Sequence, residues 1–354
     1  MRDKCADPRQ RYYLLIDDAD LAITPGELCG KDRQVRLYGA LNEFLHAHDI
    51  DVYLATNNSR LLSRDIFTEF RGRGDAVHVF PLTFAEYCEA SGGDRLAALD
   101  TYSSHEGMPR LLHLETEEEK KDYLWSLLDG ICSADIEGRY GIRLPEILRS
   151  LACRLCDSAG LPTSASRLAG AVRAATGRTA GSETVGDYLS CLEDAFLFSK
   201  ARRCDVRRRR YFKYPSKFYC ADIGLMSACP GFDKLDPERV MECLIFNELR
   251  ARGFSVDAGA VSAFETGGEG RRSRKCHEID FIASKGIRKY YIQSACAMDD
   301  EEERRAALRQ LLLVDDLFRK VVVSRTYGKS WIDEKGILRL GLMDFLLDED
   351  SLDR

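Results

Sequence analysis

Residues 12–16, Tyr-Tyr-Leu-Leu-Ile, form an unbroken apolar run closed by two acids, Asp17 and Asp18. A run this short and uniform reads as a strand buried on both faces of a parallel sheet. Residues 33–48 follow with Val35, Leu37, Leu41, Phe44 and Leu45 at helical spacing, and residues 51–55 (Asp-Val-Tyr-Leu-Ala) read as the next strand. Strand, helix, strand in that order needs a crossover connection. The chain is therefore predicted to open with an α/β unit of right-handed connectivity.

At 354 residues there is room for two or three domains. No repeat or low-complexity linker separates them, so changes of pattern mark the boundaries. From about 101 to 200 the apolar spacing is helical, through 123–128, 144–155 and 164–172, and Thr184 is expected to cap a further helix ending near Leu197. Residues 196–203 (FLFSKARR) and 209–214 (RRYFKY) then read as a hairpin. Three short helices followed by a hairpin is the order of a winged helix-turn-helix. The last third alternates a helix over 239–252, strands at 278–283 and 289–294, a charged helix at 300–318 and a strand at 320–324, as in a further α/β unit.

Hydrophobic residues make up 45% and charged residues 31%, which excludes a disordered or collagen-like chain. No apolar run approaches the ~18 residues of a membrane span, and the first residues lack the hydrophobic stretch of a secretion signal, so a cytoplasmic protein without a membrane partner is expected. The thirteen cysteines are odd in number and sit mostly in apolar segments, which reads as buried thiols. Cys153 and Cys156 are the close pair, and a zinc site needs two further ligands. A net charge of -6 argues against wholesale coating of nucleic acid.

Asp17 and Asp18 end the first strand where, in P-loop NTPases, one acid holds the Mg²⁺ shell and the next orients the attacking water. Two solvated acids capping a strand would look the same. A phosphate cradle demands G-x-x-x-x-G-K-[ST]. Only eleven residues precede Tyr12. Downstream, Gly328-Lys329-Ser330 has Val323 at the first glycine position, and Gly30-Lys31-Asp32 has Pro25 there, so neither qualifies. The second strand ends in Thr56-Asn57-Asn58-Ser59, a turn sequence that also suits a γ-phosphate sensor, and Arg71-Gly72-Arg73 offers guanidinium groups in a loop.

These segments together resemble the prokaryotic AAA+ ATPases, the archaeal-type ATP-binding proteins with a C-terminal domain of unknown function 4143. That family reads apolar strand, Asp-Glu-Ile-Gln, then Thr-Gly-Ser-Asn-Ser-x-Leu-Leu-Ser, Ser-Gly-Arg, Pro-Leu-Ser-Phe-x-Glu-Tyr and Gly-Gly-Met-Pro. The chain offers, in order, Asp17-Asp18-Ala19-Asp20, Ala55 to Ser63, Arg71-Gly72-Arg73, Pro81-Leu82-Thr83-Phe84-Ala85-Glu86-Tyr87 and Glu106-Gly107-Met108-Pro109. It continues through Tyr188-Leu189, Lys217 to Leu225 and Glu278-Ile279-Asp280-Phe281. The resemblance implies Asp17 as the Mg²⁺ ligand, Asp18 as catalytic acid, Asn58 as sensor and Arg73 as arginine finger, with ATP and Mg²⁺ as cofactors. The family's Walker A segment has no counterpart. The expectation is a chain unable to bind or hydrolyse ATP by itself, through a late start codon, a frameshifted gene, or a degenerate relative whose missing half comes from a separate chain.

In the last third, side-chain alternation puts Glu278 and Asp280 on one face of a strand. With Glu242 and Gln293 they resemble the restriction-endonuclease-like fold of that family's C-terminal domain, where carboxylates bind Mg²⁺ and a lysine activates water. Here Gln293 is neutral and Ala295 stands at the lysine position, so a degenerate site is expected. Between these parts, residues 200–217 carry Arg202, Arg203, Arg207, Arg208, Arg209, Arg210, Lys213 and Lys217 against Asp205 alone, interleaved with Tyr211, Phe212 and Tyr214. Such a stripe suits DNA phosphates, and it equally suits a solvated hairpin paired with the acidic remainder. The expected architecture is α/β throughout: a partial P-loop AAA+ unit over 1–100, a helical lid and winged helix over 101–215, and a nuclease-like unit over 216–354. The alternative to an ATPase-family role is a DNA-binding or protein-interaction module.

Overall fold

The computed structural model describes residues 10–28, 36–45, 49–59, 74–105, 107–213, 215–229, 235–266, 272–296, 308–325 and 329–354. Strand β1 (Tyr12–Ile16), helix α1 (Arg36–Leu45) and strand β2 (Ile50–Leu54) realise the strand-helix-strand reading. The strands pair in parallel from Tyr12 opposite Ile50 to Ile16 opposite Leu54. Leu37, Tyr38 and Leu41 of the helix close over Ile16, Val52 and Leu54. The expectation of burial on both faces fails: Tyr13, Leu15 and Tyr53 are 62%, 73% and 55% exposed. Period-two alternation puts these three on the face away from α1, and among the described residues this sheet has two strands only.

The helical stretch comprises α2 (Phe84–Ser91), α3 (Arg95–His105), α4 (Glu117–Gly130), α5 (Pro145–Asp157), α6 (Ala165–Thr176) and α7 (Ser182–Asp194). Thr83 with Glu86, and Thr116 with Glu119, form reciprocal capping boxes, which explains why α2 and α4 begin where they do. Thr184 is not a cap. Gly181 takes that position without a side-chain hydrogen bond, and Thr184 lies inside the first turn of α7.

Strand β3 (Phe198–Ala201) follows and pairs antiparallel with β6 (Lys217–Cys220), Phe198 opposite Cys220 and Ala201 opposite Lys217. The expected hairpin between FLFSKARR and RRYFKY is thus split. Only β4 (Arg203–Asp205) and β5 (Arg210–Tyr211) pair with each other, and β4 also pairs in parallel with β7 (Ser255–Thr266). The chain therefore leaves one sheet after Ala201 and enters another at Arg203.

That second sheet has eight strands in the order β11-β12-β10-β9-β8-β7-β4-β5. Its remaining members are β8 (Arg272–Lys285), β9 (Arg288–Ala295), β10 (Arg319–Ser324), β11 (Trp331–Ile332) and β12 (Leu338–Gly341). Between β6 and β7 come α8 (Ile223–Ser227) and α9 (Pro237–Ala251), and α10 (Leu342–Leu347) follows β12. Asp236 caps α9 through the Glu238 amide at 3.0 Å, with Pro237 at the first helical position. Met241, Leu244, Ile245, Phe246 and Leu249 bury its inner face. Each such side chain stabilises the fold by ~1.5–3 kcal/mol relative to exposure. One apolar cluster runs without a break from Phe84 through these helices, β3 and β6 to Phe281, Ile292 and Leu352. A smaller cluster around Val261, Ile279, Ile282, Tyr291 and Val322 covers the opposite face of the sheet. Residues 308–312 are helical, and the rest of the charged helix expected at 300–318 lies largely outside the described residues.

Candidate carboxylate site and basic surface

Where β8 runs beside β7, Asp257 faces Ile282 and Gly259 faces Ile279, so Asp280 and Phe281 together oppose Ala258. This is a β-bulge, which bends the strand and re-aims its side chains. Glu278, on an inner strand but with a polar end, and Asp280 turn toward β6 and α9. Glu242 reaches the same place from α9, and Gln293 from β9. The four residues singled out from the sequence are therefore brought together.

The group that joins them is one the sequence reading placed elsewhere. Lys217, counted above with the surface cations, is 1% exposed. All four residues of β6 are buried, so its first side chain cannot reach solvent. Its ammonium lies 2.6 Å from Glu278 Oε1 and 3.3 Å from Glu242 Oε2. Tyr219, two residues on and hence on the same face, donates to Glu242 Oε2 at 3.1 Å. Asp280 is held separately: its Oδ2 accepts from Gln293 Nε2 at 2.7 Å, from the Ser294 amide at 2.8 Å and from Ser294 Oγ at 2.7 Å. Position 295 supplies no lysine, as expected, but a lysine is present from another strand. The signal for it was a single cation heading an otherwise apolar run, Lys-Phe-Tyr-Cys.

Charge balance follows from this geometry. Burial alone would lower the Lys217 pKa, yet Glu242, Asp280 and Glu278 raise it above its ordinary value, so the amine stays protonated. Burial pushes Glu242 up to about 8, with Asp280 adding to the rise and Lys217 and Tyr219 opposing it. Burial likewise raises Asp280 against the pull of Lys217 and Ser294. One ammonium thus serves three acids. A protonated lysine cannot itself take a proton from water.

The cluster is also covered. Gly160, between α5 and α6, adopts φ +75° and its amide donates to the Phe218 carbonyl at 3.0 Å. A Cβ there would come within 2.6 Å of Glu242 Oε2. Thr163 and Ser216 exchange backbone hydrogen bonds beside it, at 2.8 and 3.0 Å. The fit to Mg²⁺ is poor on this chemistry: a divalent ion entering between Glu242 and Glu278 would meet the Lys217 ammonium at contact distance. Among the described residues no set of three or more His, Cys, Asp or Glu side chains is arranged to hold a metal ion.

The arginines extend this site along the sheet. Arg203 of β4 places Nε 3.9 Å from Glu278 Oε2, and its guanidinium lies 5.5 Å from the centre of the Phe212 ring. Arg202 stacks over Tyr211 at 4.0 Å, and the Tyr211 hydroxyl donates to Asp257 Oδ2 at 2.7 Å. Arg207 donates to the carbonyls of Ser262 and Leu313, both at 3.2 Å, so it fixes the turn. Asp205 accepts from the Arg208 amide at 3.0 Å and turns the chain so that Arg208, Arg209 and Arg210 are exposed in succession. Lys213 is exposed beside them.

Asp17 and Asp18 are exposed at the carboxyl end of β1, with the Asp18 amide donating to Asp17 Oδ1 at 3.0 Å. Asn58 is buried, and its Nδ2 donates to the Tyr140 hydroxyl at 2.9 Å, which in turn donates to Asp194. Asp20 is buried beside them, accepts from Thr56 Oγ1 at 2.8 Å and pairs with Arg139. Arg73 lies outside the described residues.

Asp222 links the parts. It caps α8 through the Leu225 amide at 3.2 Å and accepts from the Gly107 amide at 3.1 Å. A Cβ at Gly107 would meet the Leu82 carbonyl at 2.8 Å, so the close approach needs glycine. Burial pushes the Asp222 carboxyl up to about 7, and backbone hydrogen bonds from Leu225 and Gly224 only partly offset it. A carboxyl raised in the folded state favours folding on the acid side. Stability should therefore fall as pH rises from about 4 to about 7, by a few kcal/mol at most from this group. Asp222→Asn should flatten that slope, measured by urea midpoints across the range. An unchanged slope would contradict the assignment.

The profile of a family described as "Domain of unknown function (DUF8612)" matches residues 96–236, from α3 to the start of α9. An "Uncharacterized protein" of Haemophilus influenzae is 27% identical over 353 residues, 98% of this chain and 80% of its own length. "Uncharacterized protein MJ1544" of Methanocaldococcus jannaschii is 26% identical over 250 residues, 67% of this chain and 54% of its own length. Protein VC1899 from Vibrio cholerae aligns over 98% of this chain and 97% of its own, at 13% identity and a TM-score of 0.22, too low to bear on the fold. No helix among the described residues is long and apolar enough to cross a membrane.

Proposed function

We propose that this chain is a DNA-binding module whose nuclease-like carboxylate cluster is neutralised from within and does not cleave. The observation that carries this reading is the continuity of the basic turn with the cluster. Arg208, Arg209 and Arg210 are exposed on the turn and strand next to β4, whose Arg203 reaches Glu278. Three exposed guanidinium groups flanked by Tyr211 and Phe212 suit phosphate contacts that set register without reading sequence. In this reading α5, α6, α7 and the β3–β6 pair make the winged helix, and the arginine stripe crosses from its hairpin onto the neighbouring sheet. The test is fluorescence anisotropy with a labelled duplex over a series of salt concentrations. Binding that weakens as salt rises is expected; no binding at low salt would overturn the proposal.

A second reading keeps the AAA+ resemblance. Asp17 and Asp18 stand exposed at the carboxyl end of a parallel strand pair, the end at which α/β sheets bind their ligands. In this reading ATP·Mg²⁺ is held where a phosphate loop completes the site beside Asp17 and Asp18. Equilibrium dialysis of the chain alone should show no ATP retention, and Mg²⁺-dependent retention lost in Asp17→Asn would contradict that.

A further inference from the structure

We propose that Phe264 stacks an unpaired base, so that the chain prefers DNA in which a single-stranded tail adjoins a duplex. This rests on the DNA-binding reading above and adds a second kind of contact to it. Strands β7 and β8 form a long antiparallel ribbon, with Ala260 opposite Glu278, Ser262 opposite Cys276 and Phe264 opposite Arg274. Directly opposite residues share a face, and alternation carries that face along both strands. Val261 points the other way, into the smaller apolar cluster. Past it the ribbon leaves the core: Ser273, Arg274, Lys275 and Cys276 are exposed, and Phe264 is 76% exposed.

A single exposed ring is ordinary on a protein surface. This one stands among cations. Arg274 Nη2 donates to Ser262 Oγ at 3.0 Å, which holds the guanidinium against the ribbon beside the ring. Further down the same face, Arg203 of β4 donates to Cys276 Sγ at 3.9 Å, the same guanidinium that lies over Phe212. Arg210 of β5 pairs with Asp205 of β4, which pairs with Ala260, so the exposed Arg210 shares this face as well. Ordinary strand spacing puts Phe264 ~13 Å along the strands and ~10 Å across them from Arg210. Acids of the face are already engaged: Glu278 with Lys217 and Arg203, Asp205 with the Arg208 amide. What remains is an open ring flanked by positive charge, which complements a phosphate chain rather than an apolar peptide. Bases inside a duplex are stacked on one another and hide their faces. An unpaired base offers its face to the ring whatever its identity, while the guanidinium groups meet its backbone.

The test titrates the full chain, by anisotropy at one salt concentration, into a labelled blunt duplex and into the same duplex carrying a tail of about ten thymidines, in both polarities. The expected result is roughly tenfold tighter binding of a tailed probe, the effect of stacking one base. Phe264→Ala should erase the difference between tailed and blunt probes. Phe264→Trp should keep it, and the tailed probe should quench its emission to an extent that Trp125 and Trp331 of the wild type do not show. Phe264 lies outside the apolar clusters, so both variants should fold. Equal affinity of the wild type for tailed and blunt DNA, or a tail preference that survives in Phe264→Ala, would overturn the proposal while leaving duplex binding in place. Tailed DNA bound through Phe264 with the blunt duplex unbound would support it and overturn the duplex reading. Failure to bind either probe would overturn both.

Discussion

Lys217→Met is expected to destabilise the protein by ~3–5 kcal/mol, the cost of leaving buried charge without its partner. Methionine keeps the length and most of the apolar packing of the lysine stem, so the loss isolates the ammonium. Glu278 and Glu242 lose the cation at 2.6 and 3.3 Å, and Asp280 loses the charge that opposes its protonation. The acids can recover part of the loss by taking up protons. The defect should therefore shrink as pH falls toward the ordinary carboxylate range, whereas simple loss of packing would leave it unchanged with pH. Adding Glu278→Gln to Lys217→Met should restore stability, because the double variant removes an uncompensated acid; the coupling in such a cycle should exceed ~1 kcal/mol. Urea denaturation of the four proteins measures it. A loss under ~1 kcal/mol for Lys217→Met, or additive single effects, would contradict the view of Lys217 as counter-ion to the cluster.

The second large effect concerns DNA. Replacing Arg208, Arg209 and Arg210 together with alanine should reduce duplex affinity on the order of a hundredfold near 0.1 M salt and lower the salt slope by about 2 to 3, at ~0.9 per phosphate contact. Because all three side chains are exposed and the turn is fixed by Arg207 and Asp205, stability should change little. Arg207→Ala should do the reverse in part, loosening the turn by removing its bonds to Ser262 and Leu313. Equal affinity losses from neutralising arginines elsewhere on the surface, such as Arg173 and Arg178, would contradict the assignment of this face.

Periodicity made much of this architecture readable. The β1–α1–β2 unit, helices α4 to α7 and the shared face of Glu278 and Asp280 all follow from spacing of two or about four. Pairing partners far apart in the chain were not readable. β3 chooses β6 over the nearer strand because Phe198, Ala201, Phe218 and Cys220 are all buried between the helices and α9, while the arginine-rich stretch between them must stay wet. The same choice drags Lys217 inside, where three acids from α9 and β8 receive it. A basic residue at the end of a basic stripe gives no hint of this from its neighbours. The bulge at Asp280 is equally silent in the sequence, since it depends on the register against Gly259. Tyr13, Leu15 and Tyr53 would be inside in a wider sheet; the two strands and one helix packed together among the described residues leave them out.

The site itself was half legible. Its carboxylates carried their own signal in an apolar context, and its cation did not. That difference bears on the proposed lack of cleavage, because the Lys217 ammonium lies between Glu242 and Glu278.

The most direct measurement incubates the purified chain with supercoiled and linear duplex, with and without Mg²⁺, and follows binding and strand breakage together. The account predicts salt-sensitive binding that Mg²⁺ does not strengthen, with the DNA intact. Mg²⁺-dependent cleavage that disappears in Asp280→Ala would contradict it.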